Sequence, residues 1–444
     1  MATRHRLRIG LLIGATLALA VAACSSSGSG STDKGSDLEG TISFMTWASG
    51  ASVDAATKQI AKLYMKSHPG TTIKVTILPY DQYAQKIQLT AAGGSIPDVF
   101  QAPASALKFV QSGKVLRVGD YIEKDPVLSD PMKSRTWAYS IAKIDGKHID
   151  AFPLGGLCGM QLYYNRDLFD QANLAYPDES WTWDDFRAAA KKLTVTKNGK
   201  TVQWGTDLGY LVGWDGGWQT IAASNGMKTF MDTKAGKPHL ELDQQPVVDA
   251  WQFMQDLVFK DKVAPTPATQ KALAQGGGSG FQAGKVAMVP DGCWQMGPYQ
   301  TAVKNLGMAQ LPRGTTGQSI GPVWGTNMFI AKASEHPKLA YDFLRWWTVE
   351  KAAIKPYAKA SGWCGTSIVK ANDTIVTSAW KKIRGGDACV KSLDGARTFS
   401  IISPNWDQAY TNVLAPMWND KFLQGKMSGA ELSKELSTKL NDAL

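Results

Sequence analysis

Sixteen tryptophans are many for a chain of 444 residues. Seven of them, Trp47, Trp204, Trp214, Trp218, Trp294, Trp324 and Trp363, fall among Gly, Ser, Asp and Asn in segments that read as loops or strand ends. An indole offers a flat electron-rich face that suits the apolar C–H face of a pyranose ring. Asp, Asn and Gln can then take the rim of hydroxyls, since buried polar groups need such partners. Core packing is the competing role for each of these indoles. For Trp181, Trp183, Trp346 and Trp347, which lie in or beside helical patterns, packing is the better reading.

The candidate chemistry gathers in a few places. Asp291-Gly292-Cys293-Trp294 sets a carboxylate and an indole just beyond a strand-like run, and the stretch 210–218 holds Trp214, Asp215 and Trp218. Trp324, Gly325 and Asn327 add an indole, backbone donors and an amide. Trp47, Ser49 and Gln101 lie at strand ends, where open α/β sheets bind their ligands. Trp363 is a further loop indole.

The elements that must position these residues begin with a clear alternation. Residues 41–47 read as a strand, and 52–67 carry helical spacing at Val53, Ala56, Ile60, Leu63 and Tyr64 before His68-Pro69-Gly70 stops the helix. Residues 71–78 are again β-rich, 81–92 are helical up to Gly93-Gly94, and 97–101 open a third strand. This order predicts a parallel sheet flanked by helices. Strand-like runs follow at 149–154 and 160–164. Thr182 and Asp185 form a capping box that opens a helix, which makes Asp184 and Asp185 structural carboxylates. Helices are expected at 245–260, 294–305, 336–349, 405–424 and 428–442.

Arg4, Arg6 and Arg8 precede an apolar run that ends Val21-Ala22-Ala23-Cys24, the pattern of a secretory signal peptide over residues 1–23. The run is shorter than the roughly 20 apolar residues a membrane-spanning helix needs. Its ending resembles a bacterial lipobox, which implies lipidation of Cys24 and attachment to the cell membrane outside the cytoplasm; an ordinary cleaved signal is the simpler alternative. Residues 24–40 are polar and rich in Gly and Ser, a flexible tether of about 20–24 Å typical reach. The roughly 400 residues beyond it exceed one ordinary core and suggest two lobes.

The formal charge of +10 falls to +7 when the three leader arginines leave, and the surplus is spread along the chain, which speaks against nucleic acid as a partner. With Cys24 assigned to lipid, Cys158, Cys293, Cys364 and Cys389 allow two disulfides in any of three connectivities. The shortest separation favours Cys364 with Cys389, leaving Cys158 with Cys293; buried thiols are the alternative. No Cys-x-x-Cys occurs and the five histidines are scattered, so no metal or cofactor is expected.

Several patterns in this order carry a resemblance. They are the strand at 42–47 ending in an aromatic, Gly94-Ser95-Ile96-Pro97-Asp98-Val99, Tyr163-Tyr164-Asn165-Arg166-Asp167-Leu168-Phe169 and Ser180-Trp181-Thr182-Trp183-Asp184-Asp185-Phe186. Later come residues 281–288 leading to Asp291-Gly292-Cys293-Trp294, and Ile330-Ala331-Lys332 before residues 336–344. Together they resemble the carbohydrate-type extracellular solute-binding proteins of bacterial ABC importers, the maltose-binding-protein-like family. The resemblance implies an α/β, periplasmic-binding-protein-like fold of two lobes with a hinge and an interlobe ligand cleft. Lobe one would span 41–154 and 325–361, and lobe two 155–324 and 362–444. It also implies a monomer that closes on a sugar and presents it to membrane-embedded permease subunits. Trp294 matches the position of a stacking aromatic in this family. Cys158 falls near an acidic ligand position and Cys293 replaces the residue before the aromatic, so the usual polar contact there is in doubt.

Other classes fit less well. Asn198-Gly199-Lys200-Thr201 lacks the earlier glycine of a phosphate loop and reads as a hairpin loop. Gly278-Ser279-Gly280 with Ala283 follows a helix and precedes a strand, the reverse of the dinucleotide context. A secreted glycosidase would need two facing carboxylates, for which Asp215 and Asp291 are the candidates. Polyamine or phosphodiester binding and an adhesive lipoprotein are the remaining alternatives. The expected function is a sugar receptor without catalysis of its own.

Overall fold

The computed structural model describes residues 37–102, 106–130, 142–144, 147–154, 159–234, 237–275, 278–324, 327–361, 369–378, 380–393, 395–399, 401 and 403–444. Cys24, Cys158, Gly325, Trp363, Cys364 and the tether up to residue 36 lie outside them. Asp37 to Leu444 form one compact unit.

Two five-stranded sheets organise that unit. The first contains β1 (Gly40–Trp47), β2 (Thr71–Leu78), β3 (Val99–Gln101), β4 (Phe152–Pro153) and a strand from much later in the chain, β12 (Asn327–Ile330), in the order β2-β1-β3-β12-β4. The second contains β5 (Met160–Asn165), β6 (Val195–Lys197), β7 (Lys200–Thr206), β10 (Val286–Gly292) and β11 (Leu306–Ala309), in the order β11-β5-β10-β7-β6. β8 (Met231–Lys234) and β9 (Lys237–Leu240) form a separate hairpin.

The first three strands pair in parallel, as their order predicts, with Ile42 opposite Ile73 and Phe44 opposite both Val75 and Val99. The returning β12 runs antiparallel to β3 and β4, so the sheet is mixed. Both faces are covered, and the period-2 alternation sorts the side chains. Ile42, Phe44, Val99, Met328 and Ile330 face a core with Tyr64 of α1 (Ala51–Ser67) and with Phe343 and Trp347 of the helix Pro337–Val349. Met45, Phe100 and Phe329 face the opposite core with Tyr83 and Ile87 of α2 (Tyr80–Ala92).

The second sheet has its own core. Leu162, Tyr164 and Met288 pack with Trp183, Trp218, Trp251 and Trp418, while Tyr163, Val289 and Met308 face the other side with Tyr299 and Cys293. Trp183 and Trp347 are buried, as their helical setting predicts. The capping box is formed as well: Thr182 Oγ1 accepts from the Asp185 N–H, and Asp185 accepts from the Thr182 N–H. Asn198 and Gly199, both at positive φ, turn the hairpin between β6 and β7, so the Asn-Gly-Lys-Thr run is the hairpin loop expected of it.

One long segment departs clearly from the sequence reading. The helix expected over 405–424 is broken into short α turns and two π turns, Tyr410–Leu414 and Trp418–Phe422. Pro416 lies between them; lacking an N–H, it cannot continue an ordinary ladder. After helix Lys351–Ser361 the chain keeps contact with that helix. Val376 packs with Ile354 and Ala358, and the Asn372 side chain donates to the Val349 carbonyl (2.9 Å).

Candidate functional site

The carboxyl end of β1 delivers Trp47, half-buried, with its ring edge-on to Tyr80 (5.5 Å, 78°) and Tyr83 (5.5 Å, 76°) at the start of α2. Tyr80 is half exposed, whereas Tyr83 is buried and donates its hydroxyl to the Gln101 carbonyl. The Gln101 side chain accepts from Thr46 Oγ1 (2.6 Å), so its amide oxygen is engaged inside the lobe. Ser49 is exposed, and its N–H donates to the Asp54 carboxylate (2.9 Å) beside the start of α1. Asn327 begins β12, with its backbone paired to Pro153.

The second lobe builds an aromatic group from three chain segments. Tyr210 lies in the 3-10 turn Gly209–Val212, Trp294 in the 3-10 turn Cys293–Gln295 that follows β10, and Trp324 in the run toward β12. The Tyr210 ring stands edge-on to Trp294 (5.0 Å, 82°) and to Trp324 (5.3 Å, 85°), and the two indoles are 5.1 Å apart at 56°. Such edge-to-face pairs are favourable beyond the area they bury. Asp215 ties the group together. Its carboxylate accepts the Tyr210 hydroxyl (2.5 Å), and its main-chain carbonyl accepts the Trp324 indole N–H (2.7 Å).

Two glycines permit this packing. A Cβ on Gly292 would lie 2.3 Å from the Trp294 ring, and one on Gly216, whose φ is +134°, would lie 2.4 Å from Pro322 Cβ. Trp294 remains 39% exposed. Burial raises the Tyr210 phenol, and the Asp215 charge and hydrogen bond add to it. Burial also raises the Asp215 carboxyl, against the lowering effect of the Tyr210 bond. Farther along α2, Gln88 Nε2 donates to Asp407 Oδ2 of the helix Trp406–Ala409 (2.8 Å), a direct bond between the lobes.

Not every residue singled out from sequence comes to this place. Trp218 is fully buried and Trp214 nearly so, packed edge to face on one another (5.3 Å, 74°) and on Trp251 and Trp418. They are core indoles, covered by Trp251 and Trp418. Asp291 is buried too: it accepts the Tyr299 hydroxyl (2.6 Å) and the Gly292 N–H (2.7 Å). Burial, offset in part by those bonds and aided by the nearby Asp207, lifts its carboxyl to about 7. Cys293 and Cys389 are both disulfide-bonded, while their expected partners Cys158 and Cys364 lie outside the described residues. Tyr80, Tyr210 and the Gln88–Asp407 bond were not among the candidates. The carboxyl-edge rule could have found Tyr80, since it follows β2 by two residues.

Among the described residues no three His, Cys, Asp or Glu side chains gather to hold a metal, and no helix is long and apolar enough to cross a membrane. The family model of the bacterial extracellular solute-binding proteins matches residues 47–354. The chain belongs to that family. Among curated relatives of this solute-binding protein, an arabinooligosaccharide-binding protein of Halalkalibacterium halodurans is 25% identical over 331 residues, 72% of this chain and 70% of the relative. Another of that description, from Bacillus subtilis, is 25% identical over 349 residues, 75% and 74% of the two chains. Among solved structures, an ABC substrate-binding protein of Listeria monocytogenes in complex with cycloalternan matches with a TM-score of 0.76 at 23% identity, covering 91% of this chain and 98% of that one. The maltose/maltodextrin-binding domain of Bdellovibrio bacteriovorus bound to maltotriose matches at 0.69 and 19%, covering 90% and 99%. The fold of this solute-binding protein is therefore the two-lobed, periplasmic-binding-protein-like α/β fold.

Proposed function

We propose that this solute-binding protein captures a mono- or oligosaccharide between its lobes and delivers it to the permease subunits of an ABC importer, without catalysis of its own. The observation that carries the reading is the exposed Trp294 face, framed by Tyr210 and Trp324. The similarity to arabinooligosaccharide-binding proteins points to the same ligand class. Trp294, Trp324 and Trp47 supply stacking faces in this reading, with Ser49, Gly325, Asn327 and Trp363 as further contacts around the cleft. Asp215 and Asp291 each accept a tyrosine hydroxyl, which supports structural roles for both. The receptor works outside the cytoplasm as a monomer held to the membrane by lipid on Cys24.

A micromolar dissociation constant corresponds to about −8 kcal/mol. Two stacked faces and several hydrogen bonds of roughly 0.5–1.5 kcal/mol net each are of the right size to supply it after ordering costs. The test is a thermal-shift screen of residues 41–444 against mono- and oligosaccharides, polyamines and phosphate esters. A ligand at 100 times its dissociation constant adds about 2.7 kcal/mol of stability. A saturable shift with one sugar class, the sugar being recovered intact, is the expected result. Turnover of the sugar, or a shift only with polyamines or phosphate esters, overturns the reading.

A further inference from the structure

The turn that presents Trp294 has little holding power of its own. It is a single 3-10 turn, Cys293–Gln295, set between β10 and the helix Met296–Ala302, and 3-10 hydrogen bonds are poorer than those of an α-helix. Yet the indole must stay flat on Gly292 and in register with Tyr210 and Trp324 while more than a third of its surface meets water. The anchors lie in the residues just before it. The Gly292 carbonyl accepts the Tyr163 hydroxyl (3.2 Å), and the Cys293 N–H donates to the Gly159 carbonyl (3.1 Å). Cys293 itself is 3% exposed and disulfide-bonded, the one covalent restraint in the set.

We propose that the Cys293 disulfide holds the Trp294 indole in its ligand-facing position, which makes Cys293 a positioning residue for stacking on a sugar ring. The inference rests on Trp294 being a stacking residue. An indole free to swing on a loose turn would have to be ordered each time a ligand binds, at a cost to affinity; a cross-link on the adjacent residue imposes that order beforehand.

The test is a double-mutant cycle on the mature chain, with arabinotriose and maltotriose as probes. Cys293→Ser is expected to weaken binding roughly tenfold, as the loss of a preordered side chain should. Trp294→Ala is expected to weaken it at least as much, and the double variant no further than Trp294→Ala alone. A Cys293→Ser effect that adds in full to that of Trp294→Ala would mark a general fold effect and overturn the inference while leaving Trp294 as a ligand residue. Wild-type affinity in Trp294→Ala would remove the platform and the inference together.

A second measurement needs neither ligand nor substitution at the cysteine. The folded wild-type protein is treated with a phosphine reductant, and acrylamide quenching is compared with that of Trp294→Phe. Reduction should increase quenching in the wild type and leave the Trp294→Phe signal unchanged, with the helical circular-dichroism signal retained in both. Equal quenching before and after reduction of the disulfide overturns the inference.

Discussion

Trp214 and Trp218 lie within eight residues of Tyr210, share its glycine-rich stretch, and meet an opposite fate. Tyr210 packs on Trp294 and Trp324, whereas Trp214 and Trp218 pack on Trp251 and Trp418. Both groups are aromatic; what differs is whether distant helices close over them. The largest test of this contrast is Trp218→Ala. Removing a fully buried indole costs about 3–5 kcal/mol, so the variant should unfold at much lower denaturant, while its folded fraction binds ligand as the wild type does. Full stability with lost binding would erase the distinction between the two aromatic groups.

The two aspartates repeat the contrast in charged form. Asp215 sits under the exposed aromatic group, and Asp291 sits in the core beneath Tyr299. Tyr163, Tyr210 and Asp207 act electrostatically with Asp291 from the neighbouring elements. Its carboxyl is raised from 3.8 to about 7 by burial, so the folded state binds the proton more tightly than the unfolded chain. Such a group stabilises below pH 4, and that contribution is lost as pH rises through about 7. Denaturant unfolding should therefore show stability falling between pH 4 and 7, by roughly 2–4 kcal/mol attributable to this site. In Asp291→Asn the fall should be smaller by that amount. A pH profile unchanged by the substitution would place the Asp291 charge in water rather than in the core.

Trp294→Ala probes the exposed group directly. Affinity for the sugar identified by thermal shift should fall at least tenfold, about 1.4 kcal/mol, and the melting temperature of the empty protein should stay close to the wild-type value. A large stability loss would instead move Trp294 into the same class as Trp218.

Local pattern made part of this contrast legible and distance hid the rest. The strand at 71–78 and the Thr182 capping box are where their residues say, because alternation and capping are decided within a few positions. The place of Trp294 just beyond a strand was legible, because the strand-like run ends next to it. For Trp214 and Trp218, ligand candidates with core packing as the competing role, the choice of the core was not legible locally because their partners, Trp251 and Trp418, come from far along the chain. Asp291 was misread because Tyr299, its hydrogen-bond partner, is carried by the next helix and turned back toward the strand.

The smallest expected effect separates the lobes rather than the indoles. Gln88 and Asp407 meet across the lobes at 2.8 Å, about two helical turns along α2 from Tyr80, roughly 12 Å at 1.5 Å per residue. A bond there favours the arrangement in which the lobes touch, whatever lies between them. Its net contribution should be about 0.5–1.5 kcal/mol, so Gln88→Ala should weaken ligand binding about two- to tenfold while each lobe stays as stable as before. Small-angle scattering of the empty variant should show a larger radius of gyration than the wild type. Unchanged affinity together with unchanged scattering would mean that the aromatic group of the second lobe, and not contact between the lobes, decides how tightly the ligand is held.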